Sequence, residues 1–275
     1  SLAHVWREWP KSASRKEAEK LLLEGMTDSW VPSPLDLDEA VDAAINQSRR
    51  FRRVESRAFS KAIKARFGKD AAGLGSLLTM QRYPKKWGHR IIKEVDETLP
   101  KAGSAVIRDR LYERRAQAWR GIGRPRLALQ GYEQLAANAA TPGRQAQALA
   151  AGGKLARKMG LTREARHFFE RLATEHLNTK AAQEHLPWAI WSNAWTAYLD
   201  NDLADADEWL TLLINRFPSA HDRSRRTYYE RALYWQARIW RKQGHKAKAA
   251  RRFRFVMDRF PASYYATLSR NRVDA

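Results

Sequence analysis

The chain has 275 residues, with 51 Lys and Arg against 30 Asp and Glu, a formal net charge of +21, no cysteine and 44% hydrophobic residues. The lack of cysteine excludes disulfide frameworks, cysteine-ligated metal sites and thiol nucleophiles. The charge indicates an anionic polymer as the default partner, such as nucleic acid, an acidic membrane surface or a negatively charged cell-wall polymer. No stretch approaches the ~18 consecutive apolar residues of a membrane span, so we expect none.

The first hundred residues predict helices separated by loops. KEAEKLLLEGM, within residues 11–30, is typical of a short amphipathic helix, and Pro32 and Pro34 then break it. Asp36 or Asp38 can cap the helix that follows. We therefore interpret residues 1–103 as an N-terminal helical region.

Residues 49–69 predict a strongly cationic helix, because this segment holds nine Lys and Arg and one acid. Four residues are spaced to form its inward stripe: Val54, Ala58, Ala62 and Ala65. The glycine-containing residues 68–75 and the basic residues 84–88 indicate loops or short helices.

From residue 104 the sequence repeats itself. Four segments align on a small turn residue and an alanine five positions later: Gly123 and Ala128, Gly160 and Ala165, Asn201 and Ala206, Gly244 and Ala249. Large apolar residues follow each alanine at offsets of four and seven: Tyr132 and Leu135, Phe169 and Leu172, Leu210 and Leu213, Phe253 and Val256. These offsets place them on one helical face with the alanine.

Each turn residue is also preceded by a helical stripe, such as Tyr228, Ala232, Trp235 and Ile239. We therefore predict an all-α fold, an α-solenoid of tetratricopeptide-like helix-turn-helix repeats over residues 104–275. The units lie near residues 104–140, 144–177, 186–218 and 226–261. Most of the Trp and Tyr residues are expected in the core, because they follow core periodicity.

The sequence holds no constellation typical of an enzyme. Its seven histidines never adopt a metal-ligand spacing, and no phosphate-binding glycine loop or nucleophile elbow occurs. We expect no catalytic residue, no metal ion and no cofactor. The Arg–Phe stretches at 49–53 and 251–255 could contact phosphate and bases, but no nucleic-acid motif accompanies them. Specific nucleic-acid binding is therefore not expected.

The C-terminal ninety residues contain, in this order, Trp191 and Trp195, the block Arg231 to Trp235 with Ala237 and Arg238, then Gly244 and Ala249, and finally Pro261, Ser263 to Ala266 and Leu268. This set of residues resembles the helical superhelix of the soluble lytic murein transglycosylases. The resemblance implies a periplasmic enzyme that cleaves the glycan strands of peptidoglycan, with a catalytic glutamate in a lysozyme-like domain after the superhelix.

On this resemblance, the chain is the non-catalytic scaffold segment of such an enzyme, with the catalytic domain beyond residue 275. It would position peptidoglycan or cell-envelope proteins, and it would lie in the periplasm or cell envelope. Four cations are candidate contacts with the anionic wall: Arg225, Arg226, Arg251 and Arg252. An exposed helix face that only maintains solubility is the alternative interpretation of these residues.

Two further alternatives remain. The first is that the chain is itself an enzyme, with Glu55 as its catalytic residue. Glu55-Ser56, followed by LLTMQ at residues 77–81, faintly imitates the family's catalytic motifs, but the interval is longer and the second motif is not matched. Glu55 also lies in a basic helix, whose charges favour the ionised form and oppose a role as general acid. A stand-alone tetratricopeptide-type adaptor that binds a protein or peptide is the second alternative.

Overall fold

The computed structural model describes Leu21 and residues 35–48, 53–80, 84–218 and 223–273. These residues form thirteen α-helices, three short 3-10 turns and no strand, which confirms the all-α prediction. None of the described helices is both long and apolar enough to cross a membrane. Apart from Leu21, the helix predicted within residues 11–30 lies outside the described residues.

The helices follow one another along the chain with short connections. They are α1 (Leu37–Ser48), α2 (Arg53–Phe67), α3 (Leu74–Thr79), α4 (Pro84–Thr98), α5 (Ala105–Gly121), α6 (Pro125–Asn138), α7 (Pro142–Lys158), α8 (Thr162–Glu175), α9 (Leu186–Leu199), α10 (Leu203–Arg216), α11 (Arg223–Lys242), α12 (Lys246–Arg259) and α13 (Tyr264–Val273).

The chain divides into two compact units, one up to Gln145 and the other from Ala146 onward. The division falls inside α7. The boundary expected after residue 103 marks where the sequence begins to repeat, and it stays a prediction, as do the four unit boundaries.

The first unit begins with a well-defined cap on α1. The Glu39 backbone N–H donates to Asp36 Oδ1 at 2.8 Å, and the Asp36 N–H donates to Glu39 Oε2 at 3.2 Å. This reciprocal arrangement is a capping box, which satisfies backbone donors that the helix itself leaves unpaired. Of the two caps that the sequence offered, the structure uses Asp36.

Helix α4 corrects the expectation for residues 84–88, which belong to a 15-residue helix rather than a loop or short helix. One face of α4 is buried, with Gly88, Ile91 and Val95 in the core, while its basic residues face solvent. The core stripe at period 3.6 therefore outweighs the local loop signals. A β-carbon at Gly88 would lie 2.3 Å from Ile122 Cγ2, so glycine permits a close helix contact.

The stripe predicted for α2 is partly wrong. Ala62 is buried, but Ala65 is exposed, and Ile63 is completely buried instead. A branched side chain buries more apolar area than alanine, and this favours the rotation observed. The side chains of Val54 and Ala58 lie outside the described part.

Buried ion pairs join the helices of the first unit. Arg110, only 6% exposed, pairs with Asp38 and Asp42 of α1, the latter at 2.8 Å. Arg144 pairs with Glu113 at 2.6 Å. A pair at this depth fixes the register of the helices it joins, since separating the partners leaves a charge in a low dielectric.

The four predicted turn residues all lie between consecutive helices, and all have a left-handed backbone. Their φ angles are 76° at Gly123, 74° at Gly160, 62° at Asn201 and 87° at Gly244. Glycine adopts this region freely, and asparagine tolerates it better than most residues. The reversal after α5, α7, α9 and α11 is therefore encoded locally.

The second helix of each pair packs through the repeated positions. The repeated alanines are Ala128, Ala165, Ala206 and Ala249, and each is at most 5% exposed. The apolar residues four and seven positions later are at most 3% exposed: Tyr132, Leu135, Phe169, Leu172, Leu210, Leu213, Phe253 and Val256. In all four pairs, one small side chain is thus followed by two large ones along one buried face.

Candidate functional site

In the second unit, three aromatic rings stack along α9. Trp191, Trp195 and Tyr198 are spaced by four and three residues, which places them on one helical face. The ring centroids of Trp191 and Trp195 are 5.8 Å apart, those of Trp195 and Tyr198 are 5.6 Å apart, and both pairs are inclined by 20°. The rings form a ladder along the helix axis.

Helix α11 adds a fourth ring to this ladder. Trp235 meets Trp195 edge-on at 4.7 Å and Tyr198 at 5.0 Å, a geometry that the quadrupoles of aromatic rings favour. Trp195, Tyr198 and Trp235 are half-buried, and Trp191 is 9% exposed. With the buried residues Ala194, Leu210 and Ile239, the four rings line a narrow gap of about 10 Å³.

Cations cover the same rings. The Arg231 guanidinium lies 4.9 Å from the Trp191 centroid, and the Arg238 guanidinium lies 4.8 Å from the Trp235 centroid. Lys242 Nζ lies 5.5 Å from the Tyr198 centroid. A cation over an aromatic ring is attracted by the ring's quadrupole. We call Trp191, Trp195, Tyr198 and Trp235, with Arg231, Arg238 and Lys242, the aromatic face.

A neighbouring ring continues the pattern towards α7. Lys154 Nζ and the Arg157 guanidinium lie 5.5 and 5.1 Å from the centroid of Trp188. Trp188 in turn meets Phe169 edge-on at 4.7 Å. The first helices of three pairs, α7, α9 and α11, therefore each contribute aromatic or cationic groups.

Acidic residues are almost absent from these three helices. Glu230, which is 7% exposed, is the single acid in the sequence of α7, α9 and α11. The second helices differ: Arg166 of α8 pairs with Glu170 and with Asp205 of α10, at 2.6 and 2.7 Å. The first helices thus present positive charge that their own sequence does not neutralise.

Three of the uncharged polar side chains of α9 and α11 are hydrogen-bonded or buried. Ser192 Oγ donates to the Trp188 carbonyl at 2.8 Å, and Asn193 is 0% exposed. Gln236 Nε2 donates to Asp207 Oδ1 at 2.8 Å and to Thr211 Oγ1 at 2.9 Å. The groups that the aromatic face offers to a ligand are therefore rings and cations.

The four candidate arginines of the sequence do not belong to the aromatic face as described. Arg225 and Arg226 lie in α11, but their side chains lie outside the described part. Arg251 is exposed at an open surface depression at the start of α12. Arg252 is half-buried with its guanidinium 4.9 Å from the Trp240 centroid, and burial lowers the pKa of Arg252. Their role in binding stays a prediction.

Sequence reasoning assigned most Trp and Tyr residues to the core and so missed the aromatic face. Its signal was present in α11, where Arg231, Trp235, Arg238 and Lys242 follow a spacing of four, three and four. Cations at the same period as an aromatic residue lie on its side of the helix. A stripe of aromatic rings with cations on the same side of the helix is therefore not fully buried.

The described residues hold no group of His, Asp and Glu that could bind a metal ion. Glu55 lies in α2, but its side chain is outside the described part, as is Gln81. No protein-family model matches the chain, and no curated protein matches it significantly. The function of the chain is therefore inferred from the geometry of the aromatic face.

Proposed function

We propose that this chain is the non-catalytic scaffold segment of a soluble lytic murein transglycosylase-like protein of the periplasm. In this proposal the aromatic face holds a glycan strand of peptidoglycan for cleavage by a catalytic domain beyond residue 275. The helical pairs stack as a tetratricopeptide-like solenoid, which presents the first helices of successive pairs to the ligand.

The observation that carries the proposal is the combination of rings and cations on α9 and α11. The pyranose rings of a glycan have flat apolar C–H surfaces that stack on aromatic rings, and peptidoglycan adds carboxylates that pair with cations. Trp195 and Trp235 are half-buried, so a ligand can contact the part of each ring that the neighbouring rings and Arg238 leave open. The net charge of +21 would also attract the protein to an anionic wall, and salt would screen this attraction.

The proposal is tested by sedimentation with purified peptidoglycan sacculi at low and physiological ionic strength. We expect the protein to pellet with the sacculi, and the double variant Trp195→Leu/Trp235→Leu to bind at least about fivefold more weakly. Tyr264→Leu is the matched control, because Tyr264 is 70% exposed on α13 and not part of the aromatic face. Circular dichroism melts of each variant separate lost binding from lost folding.

Two results would overturn this proposal: no sedimentation at low ionic strength, or equal binding by the double variant and the control. In either case the stand-alone adaptor becomes the better hypothesis. The positive charge of the aromatic face would then suit an acidic segment of a partner protein.

A further inference from the structure

We infer that Arg238, assisted by Arg231, binds carboxylates of the ligand, so that the aromatic face selects pyranose chains bearing carboxylates over neutral ones. The inference rests on the proposed function in so far as the ligand is a glycan on this face. It adds the specificity-determining residues and the spacing of the groups that they bind.

Arg238 is held in place but has no acceptor among the described residues. Its guanidinium lies 4.8 Å from the Trp235 centroid, and the side chain is half-buried. Stacking occupies the flat side of a guanidinium and leaves its N–H edges available, and these edges match the two oxygens of a carboxylate. Arg238 is thus preorganised, which lowers the entropy cost of binding a carboxylate.

Arg231 has a similar environment with one edge fixed. Its guanidinium lies 4.9 Å from the Trp191 centroid and 5.6 Å from that of Tyr228. Nε donates to Tyr265 Oη at 2.9 Å, which orients the plane and leaves the terminal nitrogens for a ligand. By contrast, Arg171 of α8 is paired with Glu175 at 2.9 Å.

The spacing of the two arginines matches a repeating glycan. Arg231 and Arg238 are seven residues apart, two helical turns, with Trp235 between them. At a rise of ~1.5 Å per residue this is about 10.5 Å along the axis, comparable to the length of a disaccharide. The spacing therefore suits a chain in which every second pyranose ring carries a carboxylate, with the intervening ring beside Trp235.

A glycan fits this surface better than an acidic peptide does. An extended peptide needs donors and acceptors for its backbone and pockets for its side chains. The only amide side chains of α9 and α11 are Asn193, which is buried, and Gln236, which is bound to Asp207. The gap of about 10 Å³ among the rings is too small for a side chain, so the aromatic face offers ring surface rather than a side-chain pocket.

The experiment is a calorimetric titration of the whole chain with four probes. Hyaluronan oligosaccharides carry a carboxylate on every second ring, chitin oligosaccharides are neutral, polyglutamate is an acidic peptide, and sacculi test the proposed function. Wild type is compared with Arg238→Gln. The matched control is Arg254→Gln, because Arg254 is exposed on α12 and its loss changes the net charge equally.

We expect wild type to bind hyaluronan oligosaccharides about tenfold more tightly than chitin oligosaccharides of equal length. Arg238→Gln should abolish this preference, while Arg254→Gln should keep it. Equal affinities for the two glycans, or equal effects of the two variants, would overturn the inference. Polyglutamate binding that exceeds hyaluronan binding and is lost in Arg238→Gln would also overturn it, in favour of an acidic peptide.

The two proposals fail in different ways. If sacculi bind but Arg238→Gln binds them as wild type does, the inference fails and the proposed function survives. If the preference for hyaluronan depends on Arg238 but sacculi do not bind, the proposed function fails and the inference stands. Thermal melts of both variants establish that each is folded.

Discussion

The ring of Phe169 in α8 occupies the space beside Gly153 in α7, so that a β-carbon at Gly153 would lie 2.1 Å from Cε1 of Phe169. Phe169 is 1% exposed and cannot move away without opening the core. Gly153 thus lets two helices approach more closely than any other residue would.

Gly153→Ala should therefore destabilise the second unit by about 1–3 kcal/mol, the usual cost of overpacking. This is opposite in sign to the gain of about 1 kcal/mol that alanine gives in a free helix. Chemical denaturation measures the difference. Gly75→Ala in α3 is the control, because the nearest atom to its β-carbon would be Ser60 Oγ at 3.5 Å. Equal stability of Gly153→Ala and wild type would contradict the packing described.

The left-handed turn at Asn201 gives a second prediction. Replacing Gly160, whose φ is 74°, by alanine should cost about 1 kcal/mol. Asn201→Gly should change the unfolding free energy by less than about 0.5 kcal/mol, because glycine accepts the same φ of 62°. Thermal melts of the two variants compare their stabilities. A larger loss of stability for Asn201→Gly than for Gly160→Ala would show that the effects do not come from the backbone φ angles.

Arg110 gives a third prediction, in the first unit. Arg110→Ala leaves Asp38 and Asp42 without their partner and should cost about 3 kcal/mol or more. Arg115→Ala is the control, since Arg115 pairs with Asp96 at the surface, where such pairs contribute about 0–1 kcal/mol. Urea unfolding of both variants measures the contrast. Equal losses of unfolding free energy in the two variants would mean that burial of the Arg110 ion pairs does not increase their contribution to stability.

A fourth prediction concerns pH. His176 is 3% exposed, and burial lowers its pKa against the smaller, opposing effect of Glu175. The unfolded chain, with a histidine pKa of about 6.5, therefore binds a proton before the folded chain does, and stability falls as the pH drops below about 6.5.

His176→Gln should reduce this fall between pH 7 and pH 5 without removing it, because burial also lowers the pKa of His185. Urea unfolding at the two pH values gives the slope. An unaltered slope in His176→Gln would show that another group causes the pH dependence.

The elements that the sequence predicted well are those encoded within a few residues. The turns at Gly123, Gly160, Asn201 and Gly244 depend on local backbone freedom, and the repeated alanines depend on helical periodicity. Helix α4 and the rotation of α2 depend on neighbours elsewhere in the chain, such as Ile122 against Gly88, and periodicity within one segment does not reveal these.

The candidate site was harder to predict than the fold for a related reason. Trp191, Trp195 and Trp235 have the same spacing whether a helix buries them or leaves one edge in solvent. The distinction depends on which helix packs against them, and therefore on contacts between α9 and α11. The flanking cations were the only local signal, and they became interpretable once both helices were placed together.

The most direct test of the aromatic face is a nuclear magnetic resonance titration of the indole N–H signals with soluble glycan strands released from peptidoglycan. The protein has 11 Trp residues, and single Trp→Phe variants assign their signals. We expect the signals of Trp195 and Trp235 to shift first and in parallel, while those of Trp209 and Trp240 stay in place. Shifts confined to Trp209 or Trp240, or no shift at saturating glycan, would contradict binding at the aromatic face.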